Sequence, residues 1–213
     1  MLEAIATTRA IRRIRPDPVS DDDLSAVLFA ATRAPSGSNR QPFRFLVLRD
    51  GPLAAQAKAL LARGFRAGWD AKRAADGYDS AATDDPTSRK ARMARTMQEF
   101  VDTFADVPVV VLPCLVRYRE PSSYEGASIY PACQNLLLAA RARGLGGVLT
   151  EWHALVEADL RALLDIPDGV FIAATIPLGR PRGGHGPVRR RPLTDFVYDD
   201  RWGQPAPWLP TDG

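Results

Sequence analysis

The chain has 213 residues, of which 46% are hydrophobic and 25% charged, and a net charge of +3; that is ample for one ordinary domain with a real core and excludes a disordered or fibrous chain. The longest apolar run, 107–116, contains Pro108 and Pro113 and falls well short of the roughly 20 residues that cross a bilayer. No apolar stretch precedes a small-residue cleavage site near the N-terminus, so the expectation is a cytoplasmic protein with no membrane partner, a single domain over 1–213.

In chain order, Ser20 and Asp23 form a capping box ahead of Leu24, Val27, Leu28 and Ala31 at helical spacing, which predicts a helix over about 20–33. Pro35, Ser36, Gly37, Ser38 and Asn39 are a dense breaker cluster, and the alternation that follows from Phe43 to Leu48 predicts a loop feeding a strand. Leu53, Ala57, Leu60, Leu61 and Phe65 repeat with helical period after Pro52, giving a second helix to about Trp69. The polar stretch at about 70–90 reads as a mobile excursion of the kind that covers sites. Met93, Met97, Phe100 and Phe104 mark the core stripe of a further helix. The β-branched run 107–116 predicts a buried strand, and Ile129 to Ala140 a buried helix capped by Gly144. A short strand at 147–149, a helix over about 155–164 and a strand at 170–178 complete the regular part. Helices and strands mix without a βαβ rhythm, which predicts an α+β fold. Cys114 and Cys133, too few for a disulfide framework, read as small core residues.

Several chemistries lack their parts. There is no G-x-G-x-x-G, no P-loop and no G-x-S-x-G elbow. The two histidines, His153 and His185, stand at no ligand spacing, so no metal site is expected. His153 follows a strand end, where a pocket-lining role competes with the commoner structural one. What stands out is arginine, which supplies 25 of the 28 basic residues and bunches at both ends: Arg9, Arg12, Arg13 and Arg15, then Arg180, Arg182, Arg189, Arg190 and Arg191. Guanidinium binds phosphate through a planar fork. The bland alternatives are two solvated basic faces or a weak grip on nucleic acid.

Three stretches carry a resemblance. Thr8 to Val19 with Leu24 to Phe45, then Ala127 to Ala140 leading to Gly144-Leu145-Gly146, then Ile176-Pro177-Leu178-Gly179-Arg180-Pro181, are similar in order and spacing to the opening, central helix and last core strand of nitroreductase-family flavoproteins.

The resemblance implies a three-layer α/β/α fold with a mixed, mostly antiparallel sheet, and a homodimer with FMN at each of two subunit interfaces. It implies that Arg9 and Arg12, with Arg189 and Arg191 from the far end, hold the FMN phosphate. Ala10 stands within the same motif, where the family usually has a hydroxyl residue, so Arg9 and Arg12 carry more of the load. Pro35, Ser36, Gly37 and Asn39 would run along the isoalloxazine, and the backbone N–H groups of Thr150, Glu151 and Trp152 would meet its N5 edge. No catalytic side chain is implied, because the cofactor supplies the redox chemistry. The expected activity is ping-pong hydride transfer from NADH or NADPH to a small acceptor such as a nitroaromatic or quinone. Reductive dehalogenases and flavin-fragmenting enzymes share the superfamily; Ala10, where the fragmenting type has an acidic residue, speaks against the latter. The other class of function is a flavin-free basic module for nucleic acid, but the chain shows no nucleic-acid motif and no nucleic-acid partner is expected. The tail 192–213, rich in large apolar residues, is expected to wrap the partner subunit.

Overall fold

A computed structural model describes residues 2–80 and 85–210. The helices are α1 (Leu2–Thr7), α2 (Asp21–Ala31), α3 (Pro52–Ala75), α4 (Arg89–Asp102), α5 (Tyr130–Ala142) and α6 (Glu157–Leu163). The strands are β1 (Phe43–Leu48), β2 (Val109–Val116), β3 (Gly146–Gly147), β4 (Val170–Ile172) and β5 (Ile176–Gly179). They form one sheet in the order β1-β2-β5-β3, with β4 also paired to β2. Every pairing between described strands is antiparallel, so the sheet is α+β as expected, without the parallel member that a mixed sheet implies.

Strand β2 is buried on both faces because its period-two alternation feeds two cores. Val110, Leu112 and Cys114 face α3 and α4, meeting Leu61, Phe65, Met97 and Phe100, while Val109, Val111 and Leu115 face α2 and α5, meeting Val27, Ala31, Cys133 and Leu136. The sheet is thus the middle of three layers. Cys114 and Cys133 are free and buried, and burial pushes their thiols up to about 11 and about 12 respectively, where they stay protonated and behave as small apolar groups.

Several expectations on element boundaries are corrected. The helix expected to end near Trp69 runs on to Ala75, because Trp69 is buried and keeps the apolar face going. The expected strand 170–178 is broken into β4 and β5, between which Thr175 bridges Thr150. On the methionine and aromatic stripe, Phe104 falls in a 3₁₀ turn just beyond α4 and Met93 is exposed. Part of the expected excursion at 70–90 is the end of α3 and the start of α4, and residues 81–84 lie outside the described residues.

The two chain ends meet at the β3 edge. The Ile11 N–H donates to the Gly147 carbonyl, Arg15 N–H to Arg180 and Arg182 N–H to Arg13, so 11–15 runs beside β3 and β5 as an added strip. This close approach requires glycine. A Cβ on Gly146 would stand 2.7 Å from Ile11 Cγ1, and one on Gly147 would stand 2.5 Å from the Pro177 carbonyl oxygen. The second obstacle is backbone and cannot rotate away. Gly147→Ala is therefore expected to destabilise the fold by about 1–3 kcal/mol or more, read as a Tm drop of roughly 2–10 °C for a chain of this size; an unchanged Tm would show that the strip is not held this closely. From the other end, the His185 Nε2–H donates to the Leu145 carbonyl and Val188 N–H to Ala6, which draws 185–190 against α1.

Candidate functional site

Pinning both ends to one sheet edge brings arginines far apart in sequence to one place. Two adjoining clefts of about 590 Å³ each share Arg9, Ala10, Val188 and Arg190. One adds Arg12, Arg89, Arg92 and Arg189; the other is lined by Gln134 and Leu137 of α5 and by Gly147, Val148 and Leu149. A third cleft of about 500 Å³ joins them through Arg12, Val148 and Leu149 and carries Lys72, Met97, Phe100, Thr150, Glu151 and Trp152. Joined through these shared residues, the clefts form a trough lined by arginines at one end and, at the other, by Met97, Phe100, Val148, Leu149 and the 150–152 backbone, with Lys72 and Glu151 among them.

Arg12 stands where the two ends join. It is half-buried and has no carboxylate partner among the described residues, although its neighbour Arg13 pairs with Glu99 at 2.7 Å. Burial, with the Arg9 cation adding to it, pulls the Arg12 pKa down, against a raising influence from Tyr78; a guanidinium stays charged even so. A partly desolvated, unpaired cation is costly and calls for an anion.

The amide end is held by α3. Trp152 lies against Gly64 and Gly68, where an added Cβ would come within 3.0 Å of the Trp152 carbonyl and 3.1 Å of its ring, and its ring meets Phe65 edge-on at 5.3 Å. The spacing of those two glycines is a signal that sequence reading passed over. Of the three expected N–H donors, Thr150 donates to the Thr175 carbonyl and Trp152 faces Thr150 Oγ1 at 3.4 Å. Glu151 N–H alone has no acceptor among the described residues. Near it, Tyr130 Oη donates to Glu151 Oε1 at 3.3 Å, and burial, followed by the Glu151 charge, raises the phenol's pKa.

Two groups of expected residues stand apart from this trough. Pro35 and Asn39 line a separate cleft with Thr32, Arg33, Ala34 and Gln41; Ser36 Oγ accepts from Gln41 N–H, and Gly37 N–H donates to Ser128 Oγ. Ser38, Asn39 and Gln41 are left-handed, with φ of 52°, 50° and 49°. Arg191 is also absent from the trough lining: it pairs with Asp195 at 3.8 Å and lies over the Phe196 ring, 4.7 Å from its centroid. Its neighbour Arg190 lines the two larger clefts instead. Sequence reading did not single out Gln134, Lys72, Arg89 or Arg92, whose spacing is that of ordinary helix surface.

His153 lines none of these clefts. It is 3% exposed, Nε2 donates to the Ile172 carbonyl at 3.0 Å, and Nδ1 has no partner among the described residues. Its role is structural, and burial lowers its pKa. Because the folded-state value lies below the unfolded one, this histidine's contribution to stability is complete above about pH 6.5 and is lost as pH falls through the folded value. The Tm should drop on acidification below that point, and His153→Asn should flatten the drop. Parallel curves for the two proteins would contradict the assignment. Lys58 is likewise a structural group, its Nζ donating to the carbonyls of Arg49, Val107 and Pro108.

The model of the nitroreductase family matches residues 5–180. The chain belongs to that family. Among its relatives, an NADH dehydrogenase of Thermus thermophilus is 31% identical over 89% of this chain and 90% of its own length. A 5,6-dimethylbenzimidazole synthase of Rhodospirillum rubrum is 28% identical over 83% of this chain and 80% of its own. A Desulfovibrio desulfuricans protein solved in complex with FMN is 29% identical, superposes with a TM-score of 0.65, and is matched over 94% of this chain and 96% of that one. Activities that differ this much on one scaffold mean that membership in the nitroreductase family establishes the fold and leaves the acceptor to the site itself.

Proposed function

We propose that this nitroreductase-family chain is an FMN-dependent oxidoreductase that passes a hydride from NADH or NADPH to a small acceptor such as a nitroaromatic or quinone, working as a homodimer. The observation that carries the reading is the convergence of arginines from the two chain ends, none with a carboxylate partner among the described residues, on a trough whose other end offers apolar side chains and the 150–152 backbone. FMN has that polarity, a phosphate dianion at one end of a ribityl chain and a flat ring at the other.

Arg9, Arg189 and Arg190 would hold the phosphate, with Ala10 leaving room at the cleft wall. Arg12, which lines both the cationic and the amide end, would lie between phosphate and ring and favour negative charge there. Gln134, Leu137 and Gly147–Leu149 would flank the cofactor, and the Glu151 N–H would donate to the ring edge. When bound, FMN supplies the redox chemistry; the chain's residues bind it, orient it and set the local polarity. No side chain is assigned as acid or base.

The loop bearing Pro35, Ser36, Gly37 and Asn39 lines a cleft that shares no residue with the trough, so its contact with a flavin ring would come from a second copy. The exposed tail supports the same arrangement: Phe196, Trp202 and Trp208 are 51%, 92% and 65% exposed, more large apolar surface than a solvated end carries. A nucleic-acid module is a poorer fit, because the free arginines line a concave trough instead of spreading over a face.

If donor and acceptor use one flavin face in turn, initial rates at several fixed acceptor concentrations should give parallel double-reciprocal lines. Intersecting lines would reveal a ternary complex and a second binding place.

A further inference from the structure

The cationic cleft holds more charge than one phosphate monoester can use. Its lining includes six arginines, Arg9, Arg12, Arg89, Arg92, Arg189 and Arg190, and no carboxylate among the described residues. None of the six has a carboxylate salt bridge among the described residues, in a chain where Arg13, Arg49, Arg117 and Arg161 all do. Arg92 donates to the Thr87 carbonyl, and its charge is one of several influences lowering the Asp85 carboxyl pKa. A phosphate monoester carries about two negative charges at neutral pH. Like cations crowded into a partly enclosed space repel one another, so a second polyanion fits the surplus.

The six come from two places. Arg9, Arg12, Arg189 and Arg190 lie on the two pinned chain ends, whereas Arg89 and Arg92 are three apart in the first turn of α4 and so share a face. Ser88 caps that helix by accepting from Ala91 N–H, which leaves the preceding N–H groups and the positive end of a 14-residue helix beside the same two guanidiniums. In the reaction proposed above, the one reactant that brings further phosphate is the nicotinamide dinucleotide. The reduced forms differ only at the adenosine ribose: NADH has a 2′-hydroxyl, which a carboxylate would bind, and NADPH a 2′-phosphate, which arginine would bind. Among the described residues, the cleft offers arginine and no carboxylate.

Resting on the nicotinamide reading, we propose that this chain selects NADPH over NADH, with Arg89 and Arg92 gripping the adenosine 2′-phosphate while the chain-end arginines hold the FMN phosphate.

The test pairs a binding measurement with kinetics on the flavin-loaded protein and its Arg89→Ala/Arg92→Ala variant. By calorimetry, wild type should bind 2′,5′-ADP at least tenfold more tightly than 5′-AMP, which lacks only the 2′-phosphate. The variant should lose that difference, and its loss of kcat/KM for NADPH should exceed its loss for NADH at least tenfold. Three results would overturn the proposal: equal wild-type affinity for the two nucleotides, equal losses for the two nicotinamides in the variant, or a variant that sheds flavin while keeping its preference. Protein that binds no flavin at all would sink the oxidoreductase reading, and the two nucleotide affinities would still decide this one.

Discussion

Ending the chain after Arg191 should yield monomer or aggregate that no longer retains FMN. In the single subunit, the tail beyond that point folds back only in part: Ala206 and Leu209 are buried, and Tyr198 meets Trp202 at 5.1 Å. Leu193, Phe196, Trp202 and Trp208 remain more than half exposed. Fully burying a large side chain contributes about 1.5–3 kcal/mol, so covering what these four still expose against a second copy would supply about 4–8 kcal/mol toward a cost of association of roughly 4–15 kcal/mol. Without the tail that balance tips toward dissociation. Flavin should be lost with it, because the loop 35–39 lines a cleft separate from the trough and would contribute to a flavin site only from a second copy. Light scattering and the visible spectrum of the truncated protein check both effects together. A soluble, yellow dimer would mean that the tail neither holds the partner nor helps to close the site.

Arg9→Ala and Arg12→Ala should each weaken FMN retention about tenfold or more, with the fold kept. A charge-assisted hydrogen bond contributes roughly 1.5–3 kcal/mol, which corresponds to about 10- to 150-fold in affinity. Arg12 belongs at the upper end of that range, since it is half-buried with no internal partner and stands to gain most from an anion. Fluorescence titration of flavin-stripped protein reads the loss directly. The same measurement separates two neighbours in the tail. Arg190→Ala should cost affinity, whereas Arg191, engaged with Asp195 and Phe196, should tolerate alanine unless a second copy re-routes it. Unchanged affinity in both Arg9→Ala and Arg12→Ala would remove the assignment of the trough to FMN.

Much of this was legible in the sequence. The strands β1 and β2 announce themselves through alternation and β-branching, and α2 through its cap. The short α1 does not, since it buries none of its residues and so leaves no apolar period to read. The break between β4 and β5 is set by the Thr150–Thr175 bridge, a long-range pairing invisible to a local pattern. At the site, residue type pointed to the two arginine-rich ends because a guanidinium cluster is chemically unusual. Which arginine of 189–191 faces the trough was not readable, because that segment is irregular and has no period to fix side-chain direction. Arg89 and Arg92 were passed over for a different reason: on a helix, exposed arginines three apart are ordinary surface until a cleft is seen beneath them.

A flavin held in the trough would shuttle electrons between a nicotinamide and a small acceptor. Anaerobic spectrophotometry of the purified protein, supplied with FMN, tests it in one cuvette. A bound-flavin spectrum should bleach on adding NADPH and return on adding a nitroaromatic or quinone. Protein that takes up no FMN, or holds a flavin that neither nicotinamide reduces, would contradict it.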